Sequence, residues 1–250
     1  MKFNTLTIIL VITLASISCQ NRTGKREESR VEEEHDWEML FNGENLDGWT
    51  INNQDFDNPE ILPEFYVEDQ MIICNTSMHK GGGYLVTEKS YDNFMLELDV
   101  KIDTLLNSGI QCRGQIWEKD TATRYIAGDA SGTVRYNSWP AGYVWGYQIE
   151  IDPSDRAWSG GLYEPGNRGW VVTMAGNEEA QKAFRRKEWN HFRVVMDGNH
   201  IQSWINGVLA VDTIDNMSQS GFVGLQFHGA YRDEQRGMKS MWKNIRIKEL

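Results

Sequence analysis

Apolar residues in this chain recur with period two, in short runs punctuated by Gly, Asn and Asp, and this alternation restricts the fold more than any other feature. FYVEDQMIIC, GYLVTE, FMLELDVKI, GIQCRGQ, WGYQIEID, HFRVVMDG, HIQSWING, VLAVDT, GFVGLQFHG and KNIRIKEL each read as a strand. They are rich in β-branched and aromatic residues. MDGNHIQSWING places a tight DGN turn between two alternating runs, a hairpin signal. NEEAQKAFRRKEW, residues 177–189, is the one stretch with helical character. Many evenly spaced strands with Gly-rich turns predict an all-β sandwich or jelly roll of two antiparallel sheets, with at most one or two short helices. No internal repeat or second domain is visible.

The first residues are not part of that pattern. MKFNTLTIILVITLASISCQN begins with Lys2, runs through an apolar stretch from Leu6 to Ala15, and reaches small residues and Cys19. The stretch is too short to span a bilayer, so residues 1–18 read as a secretory signal peptide with Cys19 as a lipidation site. Ser16 stands where a Leu is usual. Residues 19–36 are polar and charged, and read as a flexible tether. Residues 37–250 remain for a single folded domain. The expected location is outside the cytoplasm, on a membrane facing the periplasm or cell surface, with the lipid anchor as the membrane contact.

The net charge of −11 has no Lys/Arg cluster within it, which excludes nucleic acid as a partner class. Cys74 and Cys112 form no disulfide framework and no zinc pattern. Cys112 alternates with Ile110 on a core face; whether it pairs with Cys74 is open, as is the oligomeric state.

Alternation also sorts the polar residues. In GIQCRGQ, Gln111 and Arg113 oppose Ile110 and Cys112. In GYQIEID, Gln148, Glu150 and Asp152 oppose Tyr147, Ile149 and Ile151. In GFVGLQFHG, Gln226 and His228 oppose Leu225 and Phe227. Three strands thus present Gln with an ionisable group on the face away from the aliphatic residues. Such groups suit a wet groove that meets hydroxyls; a solvated outer sheet is the plainer reading.

LFNGENLDGW, GIQCRG, GYQIEIDPSDRAWSGGLYEP, EWNHFRVVMDGNHIQSWING, GFVGLQFHG and WKNIRI, in this order over about residues 37–250, resemble the 3-keto-disaccharide hydrolase domain family. The resemblance implies a concanavalin-like, lectin-like jelly roll. It also implies an exported enzyme, hydrolase or 1,2-lyase, acting on an oligosaccharide or glycoside whose glucose unit carries a ketone at C3. A C3 ketone acidifies the C2 hydrogen, so its removal and loss of the C1 substituent need a base, an enolate stabiliser and a proton donor. Glu150 and His228 are the candidate base and acid, in either order, and Arg113 the candidate stabiliser. Gln111, Gln148 and Gln226 are candidate sugar ligands, joined by Asp152.

Glu150, Asp152 and His228 could also furnish part of a divalent metal site, for Mn, Zn or Ca. Asp152 reads equally as a turn cap before Pro153. The loop SDRAWSGGLYEPGNRGW adds Trp158, Tyr163, Glu164, Arg168 and Trp170 as sugar-binding candidates. Two further readings stay open. One is a retaining glycosidase of laminarinase type, from the E-x-D-x-x-D spacing of Glu150, Asp152 and Asp155. The other is a non-catalytic lectin-like protein. Convergence of Glu150 and His228 on one pocket favours catalysis.

Overall fold

The computed structural model describes residues 36–76, 81–126 and 134–250. The signal-peptide, tether and Cys19 lipidation expectations concern residues 1–36 and, apart from Asp36, lie outside the described residues. Glu38–Leu250 makes up one compact unit. Its strands begin with β1 (Glu38–Met39), β2 (Trp49–Asn53), β3 (Glu64–Glu68), β4 (Met71–Asn75), β5 (Gly83–Thr87) and β6 (Phe94–Ile102). Next come β7 (Ser108–Ile116), β8 (Thr121–Ile126), β9 (Val134–Trp139), β10 (Val144–Ile151), β11 (Leu162–Glu164) and β12 (Gly169–Val172). After helix α1 (Glu178–Ala183), β13 (Asn190–Asp197), β14 (His200–Ile205), β15 (Val208–Ile214), β16 (Phe222–Phe227) and β17 (Lys239–Glu249) complete the chain.

Two antiparallel sheets form the jelly roll. The back sheet has the order β15-β14-β13-β6-β17-β4-β3, with β1 added to β17, and the site sheet has the order β12-β11-β10-β7-β16-β5-β2. Alternation drives the packing. Leu96, Leu98, Phe192 and Val194 of the back sheet share one core with Ile110, Cys112, Tyr147 and Ile149 of the site sheet. Each fully buried side chain of this size contributes about 1.5–3 kcal/mol. Cys74 and Cys112 are buried free thiols.

The opposite parity of β6 faces outward. There Glu97 is buried beneath Arg193, whose Nε lies 2.7 Å away, and Arg246, whose Nη2 lies 2.6 Å away. Burial alone would raise the Glu97 carboxyl, but the two guanidiniums hold it below the usual carboxylate range.

Several local expectations change. FYVEDQMIIC is not one strand but the hairpin β3–β4, because Asp69 (φ 49°) and Gln70 (φ 60°) take the left-handed conformations of a type I′ turn. The DGN turn holds: Asp197 faces His200 and Gly198 supplies the positive φ of 55°. The helix is shorter than 177–189, capped by the Asn177 side chain on the Ala180 N–H (3.2 Å) and ended by extended Phe184. Residues 154–170, expected as a loop, contain β11 and begin β12, which extend the site sheet. Trp49 and Trp242 are core residues, whereas Trp204 is half-buried on the outward parity of β14, and Trp189 lies under Lys243 Nζ, 4.3 Å from its ring centre.

Candidate active site

Strand register brings the site together. Gln148 on β10 lies opposite Gln111 on β7 and Tyr163 on β11, and Tyr163 lies opposite Trp170 on β12. Directly opposed residues share a face, so one polar and aromatic row runs across four strands on the side away from the core. Gly109 lies opposite Glu150; a Cβ there would come within 2.4 Å of the Gln148 side chain, so the glycine makes room for it.

On this face lies a cavity of about 390 Å³, lined by Asn107, Gln148, Glu150, Arg156, Tyr163, Trp170, Gln226 and His228. The size is that of a small-molecule site. Glu150 and His228, read from separate strands as the acid–base pair, line this one cavity.

Glu150 is 5% exposed. Asn107 Nδ2 donates to its Oε1 at 2.8 Å and Gln148 Nε2 to its Oε2 at 3.2 Å. The relay continues outward: Gln226 Nε2 donates to Tyr84 Oη (3.2 Å), and Tyr84 Oη donates to Gln148 Oε1 (2.9 Å). Burial pushes the Glu150 carboxyl up to about 7, aided by the Asp152 charge and opposed by these amides and Arg156. His228, just past β16, packs edge-on against Tyr231 with ring centres 5.3 Å apart. Burial holds its pKa below the ordinary value, so the ring is neutral near pH 7. The same cavity thus raises a carboxyl and lowers an imidazole.

Asp152 acts as a turn cap. Its Oδ1 accepts the Ser154 N–H at 3.0 Å, and its Oδ2 accepts Arg156 Nε at 2.7 Å. Although burial pushes its carboxyl upward, these donors hold it low. Through this clamp Arg156 reaches the cavity, with Nη2 3.5 Å from Glu150 Oε1 and its guanidinium 4.6 Å from the Trp158 ring centre and 5.3 Å from that of Trp170.

Arg113 is the main correction. Its backbone is left-handed (φ 48°), and the β7 register shifts against both β10 and β16 at this point. This bulge ends the simple alternation that put Arg113 with Gln111. The fully buried guanidinium donates to the carbonyls of Asp92 (2.5 Å) and Gly198 (2.7 Å) and to Asn93 Oδ1 (3.1 Å). It ties loops together and does not line the cavity; Arg156 is the cation that does.

Other candidates divide. Tyr163 and Trp170 line the cavity, their rings edge-to-face at 5.2 Å. Trp158 stands behind Trp170 at 4.8 Å and packs on the core. Glu164 is fully buried and bound by Arg168 and Asn167, while Arg168 forks onto Asp215 at 2.9 and 3.0 Å. That network braces β11 and β12 and leaves neither residue to a sugar. Gln111 shares the cavity's face but is buried, with Nε2 on the Trp145 carbonyl at 3.1 Å. Gln148 and Gln226 line the cavity but spend their amide donors on the relay. Asp155 points outward to Arg186 (2.6 Å) with its side chain 98% exposed, so it cannot face Glu150 as the second carboxylate of a retaining pair. Among the described residues no group of three His, Cys, Asp or Glu side chains is arranged to hold a metal ion.

Asn107, Arg156 and Tyr84 were not anticipated. Tyr84 shares parity with aliphatic Val86 in GYLVTE, so alternation alone does not mark it; Asn107 sits in the β6–β7 connection with no periodic signal. Tyr84→Phe should remove the donor to Gln148 and cost about 1 kcal/mol of stability, readable by denaturant unfolding.

Solved structures of the same fold include the following two. One is a candidate glycosyl hydrolase from Parabacteroides distasonis ATCC 8503, at 18% identity, covering 88% of this chain and 96% of that one, with a TM-score of 0.52. The other is a Bacillus subtilis protein of unknown function with a galectin-like fold, at 11% identity, covering 80% and 89%, with a TM-score of 0.50. At these identities the likeness concerns the fold alone. No curated protein matches the chain. The model of the 3-keto-alpha-glucoside-1,2-lyase-like domain matches residues 36–248, a span that includes every residue lining the cavity, and the chain belongs to that family.

Proposed function

We propose that this domain cleaves glycosides whose glucose unit carries a ketone at C3, by elimination across C1 and C2. One observation carries the reading: a carboxyl raised to about 7 and a histidine lowered from its ordinary value line the same cavity. Environments that push an acid and a base apart in this way assign their roles. Of the two arrangements that hold one proton between them, neutral His228 with protonated Glu150 outweighs imidazolium with carboxylate.

A ring nitrogen of His228 takes the C2 proton, and the C2–H pair moves into an enolate whose charge rests on the C3 oxygen. Arg156, held by Asp152, pairs with that oxygen. The enolate then reforms the ketone, C1=C2 forms, and the C1–O bond breaks. Glu150 gives its proton to the departing oxygen. The products are an unsaturated keto sugar and the free alcohol; addition of water to the former makes the net result hydrolysis. Tyr163 and Trp170 offer aromatic faces to the ring. We further propose that the domain works outside the cytoplasm, tethered through Cys19, on the strength of its apolar N-terminal segment.

The test is NMR in deuterated water with a 3-keto-glucoside, its unoxidised parent and an EDTA control for any metal requirement. Release from the ketone form alone, with deuterium entering C2 of recovered substrate or hydrated product, supports the route. Equal cleavage of the parent would replace it with conventional glycoside hydrolysis, and saturable binding without turnover would leave a lectin. Arg156→Met should lower kcat/KM by about 10²-fold, the scale of losing one charge-stabilising donor.

A further inference from the structure

A second cavity, of about 430 Å³, adjoins the first, and Asn107 and His228 line both. Four segments build it: the β6–β7 connection carrying Leu105, the residues after β10 carrying Pro153, Arg186 from the stretch after α1, and the segment after β16 carrying Tyr231. Gln235 fastens the first of these to the last. Its Oε1 accepts the N–H groups of Tyr231 and Arg232, each at 2.9 Å, while its Nε2 donates to the Leu105 carbonyl at 2.7 Å. Leu105 and Tyr231 are therefore held in place although they are 41% and 67% exposed. Large apolar groups fixed in an open cavity mark a binding surface.

Most polar forks of this cavity are already committed, the exposed Arg232 at its edge excepted. Gln235 spends its amide on the loops, Asp152 holds Arg156 and Ser154, and Arg186 pairs with Asp155 at 2.6 Å. A pyranose needs several such forks for its hydroxyls. Leu105, Pro153 and the Tyr231 ring instead suit a flat apolar face, which stacks well on an aromatic side chain.

We propose that this second cavity is the leaving-group subsite and that it takes a flat aryl aglycone, such as a phenolic ring, in preference to a second sugar. The assignment rests on the cleavage chemistry above, which puts C2 against His228 and the C1 oxygen against Glu150, beside Asn107, which donates to Glu150 and borders both cavities.

Calorimetric binding of unoxidised phenyl and methyl glucosides, in both anomers, tests the subsite without any turnover. The phenyl glucoside should bind at least tenfold more tightly than the methyl one, and than a glucose disaccharide. In Tyr231→Ala and in Leu105→Asn the phenyl-to-methyl ratio should fall below threefold. Equal binding by the wild type, a ratio that survives both variants, tighter binding of the disaccharide, or no binding of any of them would overturn the subsite. Failure of the cleavage chemistry reads separately, as a 3-keto-glucoside that is not turned over whatever the phenyl-to-methyl ratio.

Discussion

Glu150→Gln should lower kcat/KM for a methyl 3-keto-glucoside by about 10²–10⁴-fold, yet for the phenyl analogue by less than about tenfold. The loss for the methyl substrate is the usual worth of a positioned general acid. An alkoxide is a poor leaving group because its conjugate acid ionises near the ~15.7 of water, so proton donation is essential to its departure. A phenolate resembles the tyrosine side chain, with a pKa of ~10, and can leave with little help. The same logic fixes the pH profile. Because burial pushes the Glu150 carboxyl up to about 7, the acid is lost as pH rises through that value, and kcat/KM for the methyl substrate should fall there. The phenyl substrate should show a flatter alkaline side, and Glu150→Gln should abolish the alkaline limb altogether. His228→Ala should slow both substrates alike, since C2 deprotonation precedes departure in each. Equal losses for methyl and phenyl substrates in Glu150→Gln, with a profile that climbs through pH 7, would make Glu150 the base and His228 the acid.

Period-two alternation put the two residues proposed for this chemistry on one face because Glu150 and Gln226–His228 lie in or beside regular ladder. Glu150 sits two residues from Gln148 on an uninterrupted stretch of β10, and His228 follows Gln226 directly after β16, so parity alone put them on one face. It failed at Arg113 for a physical reason. A single residue with φ 48° inserts a bulge, and parity counted through a bulge comes out reversed. Gly146 marks the same place on the neighbouring strand, with φ 115° and no room for a Cβ beside the Arg113 carbonyl, 2.7 Å away. Neither glycine nor arginine announces this in a single sequence. Arg156 was missed differently. Asp152 was read, among its uses, as a cap before Pro153, but the side chain that the cap holds lies four residues on in a turn where no periodicity operates. The division of the loop residues also depends on long-range pairing: Arg168 leaves the cavity because Asp215, 47 residues later, takes its fork.

The protonation of Glu150 should be visible in stability as well as in rate. Its folded pKa, about 7, lies above the 4.5 of an ordinary glutamate, because burial penalises the carboxylate. A raised folded pKa means that the folded state binds the proton more tightly than the unfolded chain does. The resulting stabilisation is fully present below pH 4.5 and is lost as pH climbs through 7. At about 1.36 kcal/mol per unit, the window is worth about 3 kcal/mol. Glu150→Gln cannot titrate, so its unfolding free energy relative to the wild type should rise by about 2.5 kcal/mol between pH 5 and pH 8. For a domain of this length that corresponds to about 5–10 °C in Tm. The comparison across pH removes any constant change that the variant introduces, such as a second amide placed where Gln148 Nε2 now meets a carboxylate oxygen. Paired melts of the two proteins at pH 5, 6, 7 and 8 decide the matter. A difference that stays flat across this range would mean that Glu150 is an ordinary ionised carboxylate in the folded protein, and would take the general-acid assignment with it.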